Sequence, residues 1–219
     1  MINYEALDQD VWYKRLVDLT AKTSISSDHL LDQIGMGISF FCNRYNLNIL
    51  TRNDLTLLVS RSLVMMGLKK EAKELLYLDP FYKKQADSWI MSFSVIEKFS
   101  EIYPFLSKQI ISPKSWLGST EQNFWVLNLK LLSINENEFH EVIVYRSLKK
   151  IINPMIPIWN NFNGIGTLGI KGLKAGAINK LFPLDRAGYS SEIIDFLNDV
   201  FIQNKNQFHW KSTPNIMVI

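Results

Sequence analysis

A single cysteine, Cys42, has nothing in the chain to pair with, which excludes an internal disulfide and any cysteine-rich zinc site. A reducing compartment follows, and we expect a cytoplasmic protein. No apolar run reaches the roughly 20 residues that a membrane-spanning helix needs. The most apolar stretch, Leu55 to Leu68, is broken by Arg61, so no membrane partner is expected. Residues 1–10 carry Glu5, Asp8 and Asp10 in place of the basic and apolar regions of a secretory signal. Charge of one sign is also lacking. The 24 basic side chains face 21 acidic ones, and a net charge of +3 is too small for the field of a dedicated nucleic-acid binder. There is no Gly-x-Ser-x-Gly elbow and no Walker-type Gly-Lys-Ser/Thr, so neither an esterase-like nucleophile nor a P-loop has a foothold.

What is present is the composition of a folded globule. Hydrophobic residues make up 47% and charged ones 21%, far from the signature of disorder. Apolar residues recur at helix spacing through most of the chain. Trp12, Leu16 and Leu19 mark a helix over 4–22, and Leu31, Ile34, Ile38, Phe41 and Tyr45 mark a second. Thr51-Arg52-Asn53-Asp54 has the form of a capping box, with Leu55, Leu58, Val59 and Leu63 behind it and Gly67 as the stop. Lys69 to Leu78 gives a short helix ended by Asp79-Pro80. Trp89, Phe93 and Ile96 continue a helix to Ile102, where Pro104 interrupts.

The texture changes after Trp116. Phe124, Val126 and the alternating Leu127, Asn128, Leu129, Lys130, Leu131 predict one strand near 124–132. Val144, Leu148, Ile151 and Met155 predict a helix ended by Pro154 and Pro157. Ser190 caps a last helix carrying Ile193, Leu197, Val200 and Phe201, and the tail from Phe208 is apolar enough to dock or pair as an edge strand. The expected fold is mainly α with minor β. An all-helical lobe, 1–112, packs on a helix-rich lobe, 113–219, with one or two short strands.

Gly164-Ile165-Gly166-Thr167-Leu168-Gly169 has the G-x-G-x-x-G spacing that lets a backbone approach a pyrophosphate. The preceding Pro157 to Asn163 reads as loop rather than as the strand a dinucleotide fingerprint follows, and Asp185 stands at a ribose-contact distance behind a poor second strand. The plainer reading is a turn at Gly164 and Gly166, with Gly169, Gly172 and Gly176 as a small face for a following helix. Lys171 and Lys174 leave an anion contact open there. Glu138, His140 and Glu141 combine two carboxylates with an imidazole, yet His29 and His209 lie in no matching unit, and acidic residues near a helix start also complement its dipole. Lys69, Lys70, Lys73, Lys83 and Lys84, interleaved with Tyr77, Phe81 and Tyr82, read first as a solvated basic face. Trp159 and Trp210 fall outside the core stripes and are the candidates for an interface or pocket.

From about Asp28 to Leu76, the Leu31, Ile34, Ile38 helix, the Thr51-capped helix with Leu55, Val59 and Leu63, and Ala72 after Gly67 resemble the helical part of the ATP-cone regulatory domain. The resemblance implies a helical regulatory module and, by extension, nucleotide as a ligand. The basic strand pair that contributes to nucleotide binding in that family has no counterpart in the acidic 4–22 helix, so no ligand residue is carried over.

Three readings stand. The first is a non-catalytic binding or regulatory module that takes a protein partner, itself included, with no cofactor and no nucleic acid. The second is a nucleotide- or anion-sensing module using Gly164, Gly166, Gly169, Lys171 and Lys174. The third is an enzyme of unrecognised class, in which His140 and Glu141 would meet His29 or Asp185.

Overall fold

The computed structural model describes residues 9–25, 27–47, 50–114, 123–132, 140–173 and 189–219. The fold is mainly α with minor β, divided into two units, Met1–Ser94 and Val95–Ile219. The division falls at Ser94/Val95, whereas the sequence suggested a boundary near Pro113. The helix over 99–107 therefore belongs with the second unit.

In the first unit the order is α1 (Gln9–Thr20), α2 (Asp28–Arg44), α3 (Arg52–Met65), α4 (Lys69–Leu78) and α5 (Ala86–Phe93). Helix α3 is the centre, packing on α1, α2, α4 and α5. Every residue from Leu55 to Ser60 is buried, as are Leu63 and Val64, so this helix hides its whole circumference rather than one stripe. Its start is the capping box read from the sequence. The Asp54 N–H donates to Thr51 Oγ1 at 3.1 Å, and the Thr51 N–H donates to the Asp54 carboxylate at 2.9 Å. Asp79, just past α4, is buried and accepts from Thr56 Oγ1 and from the Phe81 N–H, each at 2.9 Å, which satisfies the carboxylate and ties α3 to the end of α4. Tyr82, also buried, donates to the Asn53 carbonyl at 3.1 Å. Burial first, then the charges of Asp54 and Asp79, hold its phenol well above the usual range.

Two boundaries differ from the sequence expectation. Helix α5 stops at Phe93, whose carbonyl accepts from the Arg61 guanidinium at 2.8 Å, and a new helix α6 (Phe99–Ser107) begins after a turn. Pro104 lies inside α6, where its missing N–H forfeits a single bond in the second turn. Burial of the Arg61 head lowers its pKa to about 10.

The second unit continues with β1 (Ile111–Pro113), β2 (Phe124–Asn128), α7 (His140–Ile152), α8 (Ile156–Asn161), β3 (Thr167–Lys171), α9 (Tyr189–Phe208) and β4 (Asn215–Val218). The sheet order is β1-β2-β3-β4, with β1 antiparallel to β2 and the other neighbours parallel. Trp125 pairs with Leu168, which pairs in turn with Ile216, and Leu127 pairs with Ile170, which pairs with Val218. By the strand's period of two these share one face, and Trp125, Leu127, Leu168 and Ile170 are all buried. On α8 and α9, Trp159 meets Phe201 edge to face at 4.9 Å.

The four strands among the described residues exceed the one or two expected. The expected strand is present as β2, but a 3-10 turn, Leu129–Leu131, replaces its second half. The tail pairs as edge strand β4. Helix α7 does stop at Ile152, just before Pro154, which lies in a 3-10 turn, while Pro157 lies in the first turn of α8, where a lost N–H has no helical partner, so the second proline also opens a helix. The stretch read as loop over 157–163 is accordingly mostly helix. Gly169 lies in β3 rather than on the face of a following helix.

Candidate functional site

The glycine segment leads into β3, with Gly164 to Gly166 before the amino end of that parallel strand and Gly169 inside it, whereas a dinucleotide loop follows a strand at its carboxyl end. Gly164 adopts φ +79° and Gly166 φ +150°. A Cβ at Gly164 would stand 1.9 Å from the Ser212 carbonyl oxygen, and one at Gly166 would stand 2.6 Å from the Asn123 carbonyl oxygen. Both absent side chains are thus replaced by neighbouring backbone. The same crossing is sewn by hydrogen bonds. Asn163 O accepts from the Lys211 and Ser212 N–H groups, Asn123 O accepts from the Thr167 N–H, and Asn123 Nδ2 donates to Ile165 O. Trp125 Nε1 completes the set by donating to Asn123 Oδ1 at 2.9 Å.

Lys171 is exposed at the other end of β3, a strand of five residues and so roughly 16 Å long. The structure therefore separates Lys171 from Gly164 and Gly166, with Gly169 buried between them; Lys174, Gly176 and Asp185 lie outside the described residues. Lys171 instead neighbours Asn128, its register partner on β2, while Gly172 packs on the stem of Lys130, an exposed lysine that pattern reading had assigned only to a strand. Ser190 Oγ at the start of α9 donates to the Leu173 carbonyl at the same edge.

Trp159 and Trp210 are buried. Among the described residues the Trp159 indole N–H finds no hydrogen-bond acceptor, whereas that of Trp210 donates to Asn160 Oδ1 at 2.9 Å. Both are core side chains. Glu138 lies outside the described residues, as do the side chains of His140 and Glu141 at the start of α7. Among the described residues, no three His, Cys, Asp or Glu side chains group as a metal site. His29 and His209 are exposed. Cys42 is half-buried, and its thiol is pushed up by burial and by the charge of Asp54, the opposite of what activates a nucleophile. Of the basic face, Lys69, Lys70, Lys83 and Lys84 are exposed, while Lys73 pairs with Asp87 at 2.5 Å and Tyr82 is core. No described helix is long and apolar enough to cross a membrane.

The feature that pattern reading passed over is the outer face of α2. Leu31, Ile34, Gly35 and Ile38 turn inward. Opposite them Met36 and Phe40, one turn apart, are each 65% exposed, beside Gly37, whose missing side chain would meet nothing within 4 Å. Gln33 and Asn43 flank this apolar centre, Asp32 lies toward the amino end and Arg44 toward the carboxyl end, all exposed. From α1, Tyr13 OH donates to Asp32 Oδ1 at 2.5 Å, fixing the acidic end of the stripe. The sequence signal was present in negative form, because Met36 and Phe40 are, with Leu30, large apolar residues of α2 that the expected inward stripe leaves out.

No protein-family model matches the chain, and no curated protein or solved structure matches it either.

Proposed function

We propose that this chain is a non-catalytic binding module that takes a protein partner on the outer face of α2. The supporting observation is the Met36–Gly37–Phe40 patch. Exposed methionine and aromatic side chains on adjacent turns gain from burial against another surface, and methionine adapts its shape to a partner at low cost. Rims of Asp32, Gln33, Asn43 and Arg44 give the patch the apolar centre and polar border usual in interfaces. The test places a photocrosslinking side chain at Gln33, on the stripe, and at Lys84, exposed elsewhere in the same unit. A protein adduct from position 33, absent from position 84 and lost with Phe40→Glu, supports the reading. Equal labelling at both positions, or indifference to Phe40→Glu, refutes it.

A second reading, an anion- or nucleotide-sensing module, draws on Lys130 and Lys171 at the carboxyl ends of β2 and β3, where open parallel sheets take ligands. A ligand selective for the folded state raises its melting temperature. Flat melting curves across ATP, dATP and dinucleotides remove it.

A further inference from the structure

We infer that strand β4 pairs edge to edge with the β4 of a second copy of this chain, antiparallel, about a two-fold axis at Met217. The α2 face plays no part in this contact, which lies in the other unit.

The two edges of the sheet are built differently. Around β1 the Lys114 N–H donates to Phe124 O and the Asn128 N–H donates to Ile110 O, so in this antiparallel ladder Ser112 bonds inward while Ile111 and Pro113 face out. Pro113 has no N–H, which closes that edge to a further strand. At the opposite edge the Asn215 N–H donates to Gly166 O and the Ile219 N–H to Ile170 O. The odd-numbered residues of this parallel ladder therefore bond β3, and Ile216 and Val218 turn their N–H and C=O groups outward. Among the described residues no strand lies beyond β4 and no hydrogen bond reaches those groups. Strand β4 reads Asn-Ile-Met-Val, without the charge or proline that usually keeps an edge from pairing, and Val218 is 44% exposed.

Outward groups bond only to outward groups, and that fixes the register. Ile216 opposite its own copy would set Val218 against Pro214, which has no N–H, and Val218 opposite its own copy would carry Ile216 past the strand. Ile216 opposite Val218 instead satisfies every outward N–H and C=O of both strands, with two bonds in each pair. The β-branched side chains then meet on the sheet face that carries Leu168 and Ile170. Met217 falls on the axis against its own copy, the two Cα atoms about 4.5 Å apart. A two-fold sets any side chain on its axis against itself, so a charge there would oppose pairing, whereas methionine allows it. A second copy is the occupant because β4 is the edge of this sheet that offers a full set of groups. With β1 closed by Pro113, β4 of one copy cannot run on to β1 of the next, and association stops at a two-fold dimer. One short strand pair is a small contact, so the dimer is weak and concentration-dependent.

Sedimentation of the purified full chain tests this. The wild type shifts from monomer toward dimer as concentration rises to about 1 mM, in the affinity range of small contacts. Met217→Lys and Met217→Glu, each alone, set like charges together on the axis and are monomeric at the same concentration. Mixed one to one they place opposite charges there, and dimer returns. Val218→Pro removes an outward N–H while sparing the bonds to β3, and is monomeric as well. Circular dichroism shows whether each variant is folded. Amide exchange in the wild type needs no substitution: Ile216 and Val218 slow as concentration rises, while Ile111 on the closed edge does not change. A wild type monomeric throughout, a dimer that survives Met217→Lys or Val218→Pro, folded variants that fail to pair on mixing, amides at 216 and 218 indifferent to concentration, or assemblies that grow beyond the dimer would each overturn the inference.

Discussion

Replacing Gly164 by alanine asks whether the glycine segment is built for packing or for a ligand. The new Cβ would lie 1.9 Å from the Ser212 carbonyl oxygen, about 1.1 Å inside the 3.0 Å limit that real Cβ atoms respect. The obstacle is backbone, pinned because the Lys211 and Ser212 N–H groups both donate to Asn163 O, so it cannot swing aside like the end of a side chain. Holding alanine at φ +79° costs about 1–2 kcal/mol. Displacing the packed loop costs about 1–3 kcal/mol more. A loss of roughly 3 kcal/mol is expected, a large part of the roughly 5–15 kcal/mol that folding leaves in hand. At this chain length that lowers the melting temperature by roughly 6–12 °C. Gly166→Ala, with Asn123 backbone at 2.6 Å, moves in the same direction. Gly37→Ala, which meets nothing within 4 Å on a helix, raises stability by about 0.5–1 kcal/mol. Urea and thermal unfolding followed by circular dichroism measure all three. Wild-type stability in Gly164→Ala, combined with loss of a nucleotide-induced melting shift, would refute the packing account and restore the segment as a ligand loop.

Two further predictions concern the first unit. Thr51→Ala removes the oxygen that accepts the Asp54 N–H and costs about 1 kcal/mol in urea unfolding, whereas Thr51→Ser retains most of it; equal stability of the alanine and serine variants would contradict the capping geometry. Tyr82 has its folded pKa raised, so the unfolded chain gives up this proton first and the associated stability, complete below about pH 10, is lost as pH rises beyond it. Arg61, lowered by burial to about 10, works in the opposite sense over the same range, because there the unfolded chain keeps its proton longer. Both proteins in a wild-type and Tyr82→Phe comparison contain Arg61, so their difference isolates the phenol. Tyr82→Phe loses about 1 kcal/mol at neutral pH with its bond to Asn53 O, but its stability falls less steeply between about pH 9 and about pH 11. Parallel pH profiles would show that Tyr82 does not titrate as its burial requires.

The helices of the first unit were legible because each buries apolar residues at a period the sequence can carry. Leu31, Ile34 and Ile38 are inward, and Thr51 with Asp54 announces α3. The encirclement of α3 was not legible, since Thr56 and Ser60 are polar letters that only tertiary packing buries. In the second unit β2 showed through the alternation from Phe124 to Asn128, half exposed on one side. Strand β3 did not. A central parallel strand is buried on both faces and loses its alternation, and Gly169 in its middle weakens any propensity signal. Strand β1 is too short to register, and the prolines that rightly marked the end of α7 concealed that Pro157 opens α8. The candidate site was hidden for a different reason. Periodicity identifies what faces inward, so Met36 and Phe40 emerge only after the inward face of α2 is fixed. Trp159 and Trp210 were misleading because bulky aromatic residues outside a helical stripe can still be core when loops and short helices close over them.

The docking claim can be read directly from the methyl signals of the methionines. Of the seven in the chain, Met36, Met65, Met66 and Met91 are described as exposed, and Met36 alone of these four is on α2. In spectra of methyl-labelled protein recorded as cell extract is added, Met36 is predicted to shift or broaden while Met65 and Met91 hold still, and Phe40→Glu is predicted to abolish the change. A Met36 signal unchanged by cell extract, or one that moves no more than Met65, would contradict the proposed docking of a partner on α2.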